Sequence, residues 1–156
     1  MQLSDLIGPD GVMPVLEAAT KKQLLHIMSA HAAGATGLAE TDILDVLLQR
    51  ERLGATGMGA GVAVPHGKVQ GLDGMRGFFA RLRDPVDFGA IDDQPVDLVF
   101  LLLVPAAGRC DHLEALACIS RRLRQPAVCR MLRQATGPDA LLAALTRPVL
   151  PAADAA

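Results

Sequence analysis

Helical and strand-like periodicities follow one another along the chain, and glycine and proline mark the breaks between them. Residues 1–19 read as an N-terminal cap with turn signals at Gly8-Pro9 and Asp10-Gly11. A first helix is predicted from Thr20. Thr20 and Gln23 have capping-box spacing, apolar Leu24, Leu25, Ile27 and Met28 follow, and Gly34 to Gly37 end it. A second helix is predicted from about Thr41 to Leu53, with Ile43, Leu44, Val46, Leu47 and Leu48 as its buried side and Gly54 as its C-terminal cap. Val62 to Val64 reads as a short strand stopped by Pro65. Phe78, Ala80 and Leu82 alternate with Phe79, Arg81 and Arg83, which predicts a strand partly open to solvent. Val96 to Val104 is almost continuously apolar and predicts a central strand covered on both faces. Beyond Pro105 the pattern turns helical. Asp111 and Glu114 can cap a helix carrying Leu113, Leu116, Ala117 and Leu123; Pro126 starts another; Gly137-Pro138 separates a last one ending near Leu145. No repeat or interdomain linker interrupts this order. Helices, then strands, then helices predict a single α/β domain over residues 1–147, with a mixed sheet flanked by helices, and a Pro/Ala-rich tail at 148–156 that frays.

Composition narrows the function classes. The 156 residues are 51% hydrophobic and 21% charged, a globular balance in a chain long enough to bury a core unaided. Fifteen Lys and Arg against seventeen Asp and Glu leave a net charge of -2, and the 3% of aromatics are all Phe. Neither the basic excess nor the stacking platforms of a nucleic-acid binder are there. The longest apolar run, Leu98 to Val104, falls well short of the roughly 20 residues of a membrane span. The N-terminus lacks the basic and apolar regions of a signal peptide. Cys110, Cys118 and Cys129 are an odd set with no paired spacing, as expected of reduced thiols. These features together predict a cytoplasmic protein with no membrane insertion.

The candidate chemistry lies between Gly54 and Lys68. Two nucleotide-binding patterns fail there. A P-loop needs four residues between its first Gly and Gly-Lys, then Ser or Thr, whereas Gly61 and Gly67 are separated by five and Val69 follows Lys68. The third glycine of a dinucleotide fingerprint would fall on Val62 or Val64. What remains is His66, held between Pro65, whose ring fixes φ, and Gly67, which removes a side chain beside the imidazole. A neutral imidazole is a competent nucleophile near pH 7. Backbone N–H groups of Gly57, Gly59 and Gly61 could stabilise an anion nearby, and Lys68 and Arg50 are candidate charge partners for phosphate. The plainer alternative is a turn histidine with no role.

The run Arg50-Glu-Arg-Leu-Gly-Ala-Thr-Gly-Met-Gly-Ala-Gly-Val-Ala-Val-Pro-His-Gly-Lys68 resembles the active-site segment of the mannitol/fructose-type IIA proteins of the bacterial phosphotransferase system. The block Gly89-Ala-Ile-Asp-Asp-Gln-Pro-Val-Asp-Leu-Val-Phe-Leu-Leu-Leu-Val-Pro105 is similar to the nitrogen-regulatory branch, IIA-Ntr. The resemblance spans roughly residues 20–147. It implies an α/β fold with a mixed sheet, and a phosphoryl group accepted by His66 on Nε2 from the phosphohistidine of an HPr-like carrier, called NPr in this branch. It implies a second histidine after the apolar strand, matched by His112, as a stabiliser of the phosphate; a place in the first turn of a helix, where the dipole favours an anion, agrees with that role. Arg50 matches the family's arginine and is expected to contact phosphate or donor. Thr56, Gly57, Gly59, Gly61, Gly67 and Lys68 then form the candidate phosphate loop. No metal or cofactor is called for, because the donor is already a high-energy phosphoramidate. The output implied is regulation of a target such as a transporter or sensor kinase. The alternative is a sugar-uptake IIA that passes phosphate from HPr to a IIB domain. Ala60 and Asp93 depart from the family pattern, at the glycine loop and beside Asp92 respectively.

The remaining candidates have plainer readings. His26 and His31 lie five apart on one helix and share no face; His31 is expected to be a satisfied core or interface histidine and His26 to be exposed. Cys110 near His112 raises a thiol nucleophile, unsupported by any base–orienter pattern. Asp111 is expected to be a helix cap, and Cys118 and Cys129 small core residues. Arg121, Arg122 and Arg124 form a basic cluster, either a solvated face or a docking surface for an acidic partner.

Overall fold

The computed structural model describes residues 1–13, 15–107 and 112–148. Two short 3-10 helices, Leu3–Asp5 and Pro9–Gly11, precede α1 (Lys21–Thr36) and α2 (Glu40–Leu53). Then come β1 (Gly57–Gly59), β2 (Val62–Ala63), β3 (His66–Val69), β4 (Arg76–Val86) and β5 (Val96–Pro105), followed by α3 (His112–Leu123), α4 (Pro126–Gln134) and α5 (Pro138–Thr146). Thr20 caps α1 as its spacing predicts, with its hydroxyl accepting from the Gln23 N–H at 3.1 Å. The helix passes through Gly34 and stops at Gly37, whose φ of 75° is the left-handed C-terminal cap.

The sheet is mixed, as expected. β5 is its axis: β4 pairs antiparallel along one side, while β2 and β3 pair parallel along the other. The pairs Ala63↔Val99 and His66↔Leu102 keep one register, so β2 and β3 are a single extended run along β5. Pro65 divides it because it has no N–H to give, although its carbonyl still accepts from the Leu102 N–H at 2.9 Å. β1 folds back antiparallel on β2, and the chain near Val12 and Leu16 runs beside β4.

Strand alternation then sorts the core into two layers. Leu98, Phe100, Leu102 and Val104 face α3, α4, α5 and the first 3-10 helix; Val99, Leu101 and Leu103 face α1 and α2. β5 is thus covered on both faces, and each fully buried side chain of this size contributes about 1.5–3 kcal/mol. β4 departs from expectation. Phe79, placed by alternation on an open face, is fully buried among Phe100, Ile119 and Val12, because the C-terminal helices and the N-terminal segment cover that face. Arg81 is also engaged: its guanidinium donates to the carbonyls of Leu132, Arg133 and Ala135 at 2.7–3.0 Å, satisfying the end of α4. Arg83, farther along, is exposed. Leu113 is 70% exposed, and the buried stripe of α3 is Ala115, Ile119 and Leu123.

Candidate functional site

His66 opens β3, on the strand rather than in a turn, and lies at the edge of a cleft of about 410 Å³. Its ring makes two polar contacts. Nδ1 lies 2.9 Å from the Val64 carbonyl, and Nε2 lies 3.3 Å from Arg50 Nε. A carbonyl only accepts, so Nδ1 carries the proton; Arg50 Nε–H only donates, so Nε2 presents its lone pair. Both contacts select the same tautomer. Burial holds the His66 pKa below its ordinary 6.5; the Val64 hydrogen bond opposes this, and the nearby charge of Arg50 adds to it. The ring is therefore neutral and nucleophilic at Nε2 near pH 7.

Arg50 reaches His66 from the last turn of α2, and its Nη1 donates to the Gly54 carbonyl at 2.8 Å. Gly67 allows the approach. A Cβ there would stand 3.0 Å from Cγ2 of Val46, so α2 packs directly on the β3 backbone, and Val46 is one turn from Arg50. His112, at the start of α3, lines the same cleft from the other side of the sheet edge, together with Lys68 and Leu53. Leu53 is 86% exposed, and Leu113 stands next to His112. Exposed leucines beside a charged cleft suit a macromolecular partner better than a small solute.

Of the sequence candidates, the fold therefore brings His66, His112, Arg50, Gly67 and Lys68 together. Gly57, Gly59 and Gly61 do not line that cleft, and Thr56 stands behind it, its carbonyl accepting from the Val64 N–H at 3.0 Å. Gly59, Ala60 and Gly61 all have positive φ, at 93°, 56° and 82°, so the glycines serve the tight turn between β1 and β2. Gly61 lies five residues before His66, roughly 16 Å along an extended strand. A Cβ at Gly57 would strike Ala90 at 2.9 Å, and one at Gly61 would meet Arg133 and Asp97 within 2.8 Å. The N–H of Ala60, one of the two departures from the family pattern, donates to Asp92 Oδ2 at 2.9 Å. Asp93, the other, occupies a left-handed turn position with φ 57°. Thr56 is buried and bonded to Glu51 by both its hydroxyl and its N–H. Glu51 was not singled out from the sequence. Its side chain is only 5% exposed and pairs with Lys21 Nζ at 2.7 Å. Its signal was the carboxylate next to Arg50 within an apolar-faced helix.

The plainer readings also find places. His31 donates from Nε2 to the Asp10 carbonyl at 2.8 Å and meets Phe78 edge-on; His26 is exposed beside Glu40. Buried Cys129 gives its thiol to the Leu123 carbonyl, and burial pushes its pKa up, whereas Cys118 is half-buried. Arg122 is a capping group, donating to the carbonyls of Ala144 and Arg147 at the end of α5. Cys110, Asp111 and residues 149–156 of the expected tail lie outside the described residues. No helix among the described residues is long and apolar enough to cross a membrane.

Residues 6–147 match the family model described as phosphoenolpyruvate-dependent sugar phosphotransferase system, EIIA 2. The chain belongs to that family. Its relatives include members named for nitrogen regulation: it is 46% identical over 153 residues, 98% of this chain and the whole of the relative, to a nitrogen regulatory protein of Bradyrhizobium diazoefficiens. The crystal structure of nitrogen regulatory protein IIA-Ntr from Neisseria meningitidis superposes with a TM-score of 0.86 at 33% identity, covering 92% of this chain and 99% of that one. The Escherichia coli IIA mannitol protein, solved in complex with phosphorylated IIB mannitol, shares the fold with a TM-score of 0.76 at 21% identity, over 90% of this chain and 98% of that one. The mixed-sheet α/β domain expected from the EIIA resemblance is the fold observed.

Proposed function

We propose that this EIIA-family chain is a phosphocarrier of a regulatory phosphotransferase system, acting in the cytoplasm. His66 accepts a phosphoryl group on Nε2 from the phosphohistidine of an HPr-like carrier, the NPr of this branch. The observation that carries the reading is the ring's pair of contacts: the Val64 carbonyl holds the proton on Nδ1, and Nε2 faces the cleft with its lone pair toward Arg50.

In the transfer, the donor's N–P bond breaks as a bond forms between phosphorus and Nε2 of His66. The donor imidazole keeps the electron pair, and the Nδ1 proton of His66 stays in place, so no general base is needed. An in-line transfer of this kind depends on positioning and charge stabilisation. Arg50, already 3.3 Å from the accepting nitrogen, turns its guanidinium to the incoming phosphoryl oxygens, and His112 stabilises them from the head of α3. Exposed Leu53 and Leu113 give the donor an apolar rim to dock on. The added negative charge then changes which proteins this face fits, and regulated targets such as a transporter or sensor kinase read that change.

The test is intact-mass measurement at alkaline pH after incubation with phosphoenolpyruvate, the first enzyme of the chain and an HPr-like carrier. Wild type should gain one phosphoryl group, His66→Ala none, and His112→Ala should gain it slowly. Full labelling of His66→Ala would move the acceptor elsewhere. Adding a purified IIB domain to the phosphorylated chain separates regulation from sugar uptake, since rapid loss of the label to IIB would favour the uptake role.

A further inference from the structure

The Val64 carbonyl that orients His66 is itself held by a hydrogen-bonded chain that begins in a partly buried ion pair. Lys21 Nζ, at the start of α1, meets Glu51 Oε2 at 2.7 Å and also donates to the Phe88 carbonyl at 3.1 Å. Glu51 accepts from Thr56 twice, from its N–H at 3.3 Å and from its hydroxyl. The Thr56 carbonyl accepts from the Val64 N–H at 3.0 Å, and the Val64 carbonyl accepts from His66 Nδ1 at 2.9 Å.

Each link is constrained for a separate reason. Glu51 is 5% exposed, and a carboxylate at that depth is tolerated when its oxygens are paired and hydrogen-bonded, as Lys21 and Thr56 pair them. Thr56 is gripped by side chain and backbone at once, which sets the direction of its carbonyl. Val64 precedes Pro65, so its backbone is restricted to extended conformations. The peptide unit between them has no N–H, leaving its carbonyl as the one polar group that can serve the ring.

We propose that Glu51 is a positioning residue: through Thr56 and Val64 it fixes the His66 ring and keeps the proton on Nδ1, so that Nε2 is free to react. The importance of this for transfer rests on the reading of His66 as phosphoryl acceptor; its effect on the ring does not. A histidine's tautomer is set by the hydrogen bond its other nitrogen makes. Loosening Thr56 lets the Val64 carbonyl drift, and the proton redistributes between the two nitrogens. The same α2 turn carries Arg50 and Glu51 side by side, so one helix end both approaches Nε2 directly and controls Nδ1 from behind.

The experiment combines a spectroscopic and a kinetic readout on the full chain. Long-range proton–nitrogen correlation of the histidine rings reports the tautomer of each. Wild type should show His66 protonated at Nδ1. In Glu51→Gln, and more weakly in Thr56→Val, that ring should become a mixture of tautomers while His26 and His31 keep their spectra; Thr56→Ser, which retains the hydroxyl, should restore the wild-type pattern. The initial rate of phosphorylation should fall about tenfold in Glu51→Gln, the low end of what outer partners of a ligand histidine contribute. A folded Glu51→Gln chain with a lower melting temperature but unchanged His66 tautomer and rate would reduce Glu51 to a structural ion pair and overturn the proposal. Should Glu51→Gln fail to fold, Thr56→Val against Thr56→Ser decides it by the same spectra. A wild type that takes no phosphoryl group would sink the acceptor reading, and the tautomer spectra would still judge the positioning role.

Discussion

Gly67→Ala probes the packing on which the site depends. Gly67 follows His66, and its φ lies in a region any residue adopts, so the substitution acts through space alone. A Cβ there would stand 3.0 Å from Val46 Cγ2, 3.3 Å from Val46 Cβ and 3.4 Å from the Val46 backbone carbon. Ordinary carbon contacts are about 3.5–4.0 Å. Rotating the valine relieves the first contact but not the one to its Cβ, which is fixed to the helix backbone, so α2 itself must retreat by a few tenths of an ångström. Overpacking of this kind costs about 1–3 kcal/mol, and in a chain of this length each kcal/mol lowers the melting temperature by about 2–4 °C. Val46 is one turn before Arg50, so the retreat also draws the guanidinium away from Nε2. Urea unfolding should show the lost stability, and the initial rate of phosphorylation should fall with it. Val46→Ala alone removes two half-buried methyl groups and should cost about 1 kcal/mol. In the double variant the alanine at 46 makes room for the alanine at 67, so it should be more stable than the sum of the single effects by about 0.5–2 kcal/mol. A Gly67→Ala chain as stable as wild type, or strictly additive energies in the cycle, would refute the claim that α2 rests on the glycine.

The other expectations concern titration and the core. Because burial, joined by the charge of Arg50, lowers the His66 pKa, the ring should titrate with a midpoint below 6.5 when followed by nuclear magnetic resonance, and Arg50→Ala should move that midpoint upward. The sign for stability follows from linkage: the unfolded chain binds this proton more readily, so the contribution of a neutral His66 is complete above pH 6.5 and is lost as pH falls toward the lower folded value. An unchanged unfolding free energy across that window in wild type, with His66→Ala as reference, would argue against it. Phe100→Ala should destabilise by about 3–5 kcal/mol in urea, since Phe100 is fully buried and its ring rests on Gly77 in β4. Arg81→Met should cost about 1–3 kcal/mol by stranding the carbonyls at the end of α4, with hydrogen exchange rising first in that helix.

The elements were legible in the sequence because each is governed by local rules. The Thr20 cap, the apolar run of β5, Pro126 at the start of α4 and Gly37 at the end of α1 act over a few residues, and each stands where its pattern predicts. His66 was legible too, because Pro65 and Gly67 restrict the chain around it, and the long match to the EIIA segment supplied Arg50 and His112. The burial of Phe79 and the use of Arg81 were not. Alternation tells which residues share a face, but what covers that face depends on helices more than thirty residues away. The place of the glycine segment was hidden for a related reason. A run of glycines marks freedom of the backbone, and only the fold shows whether that freedom serves a ligand or, as at Gly59 to Gly61, a left-handed turn against Asp92 and Asp97. Glu51 shows the same division most sharply. In the sequence it is one charge among many on a helix; in the structure its carboxylate is buried and must find partners, and those partners lead through Thr56 and Val64 to the ring of His66. Local sterics and periodicity lie within the reach of a single sequence, whereas burial and the hydrogen bonds it demands exist only once distant segments have met.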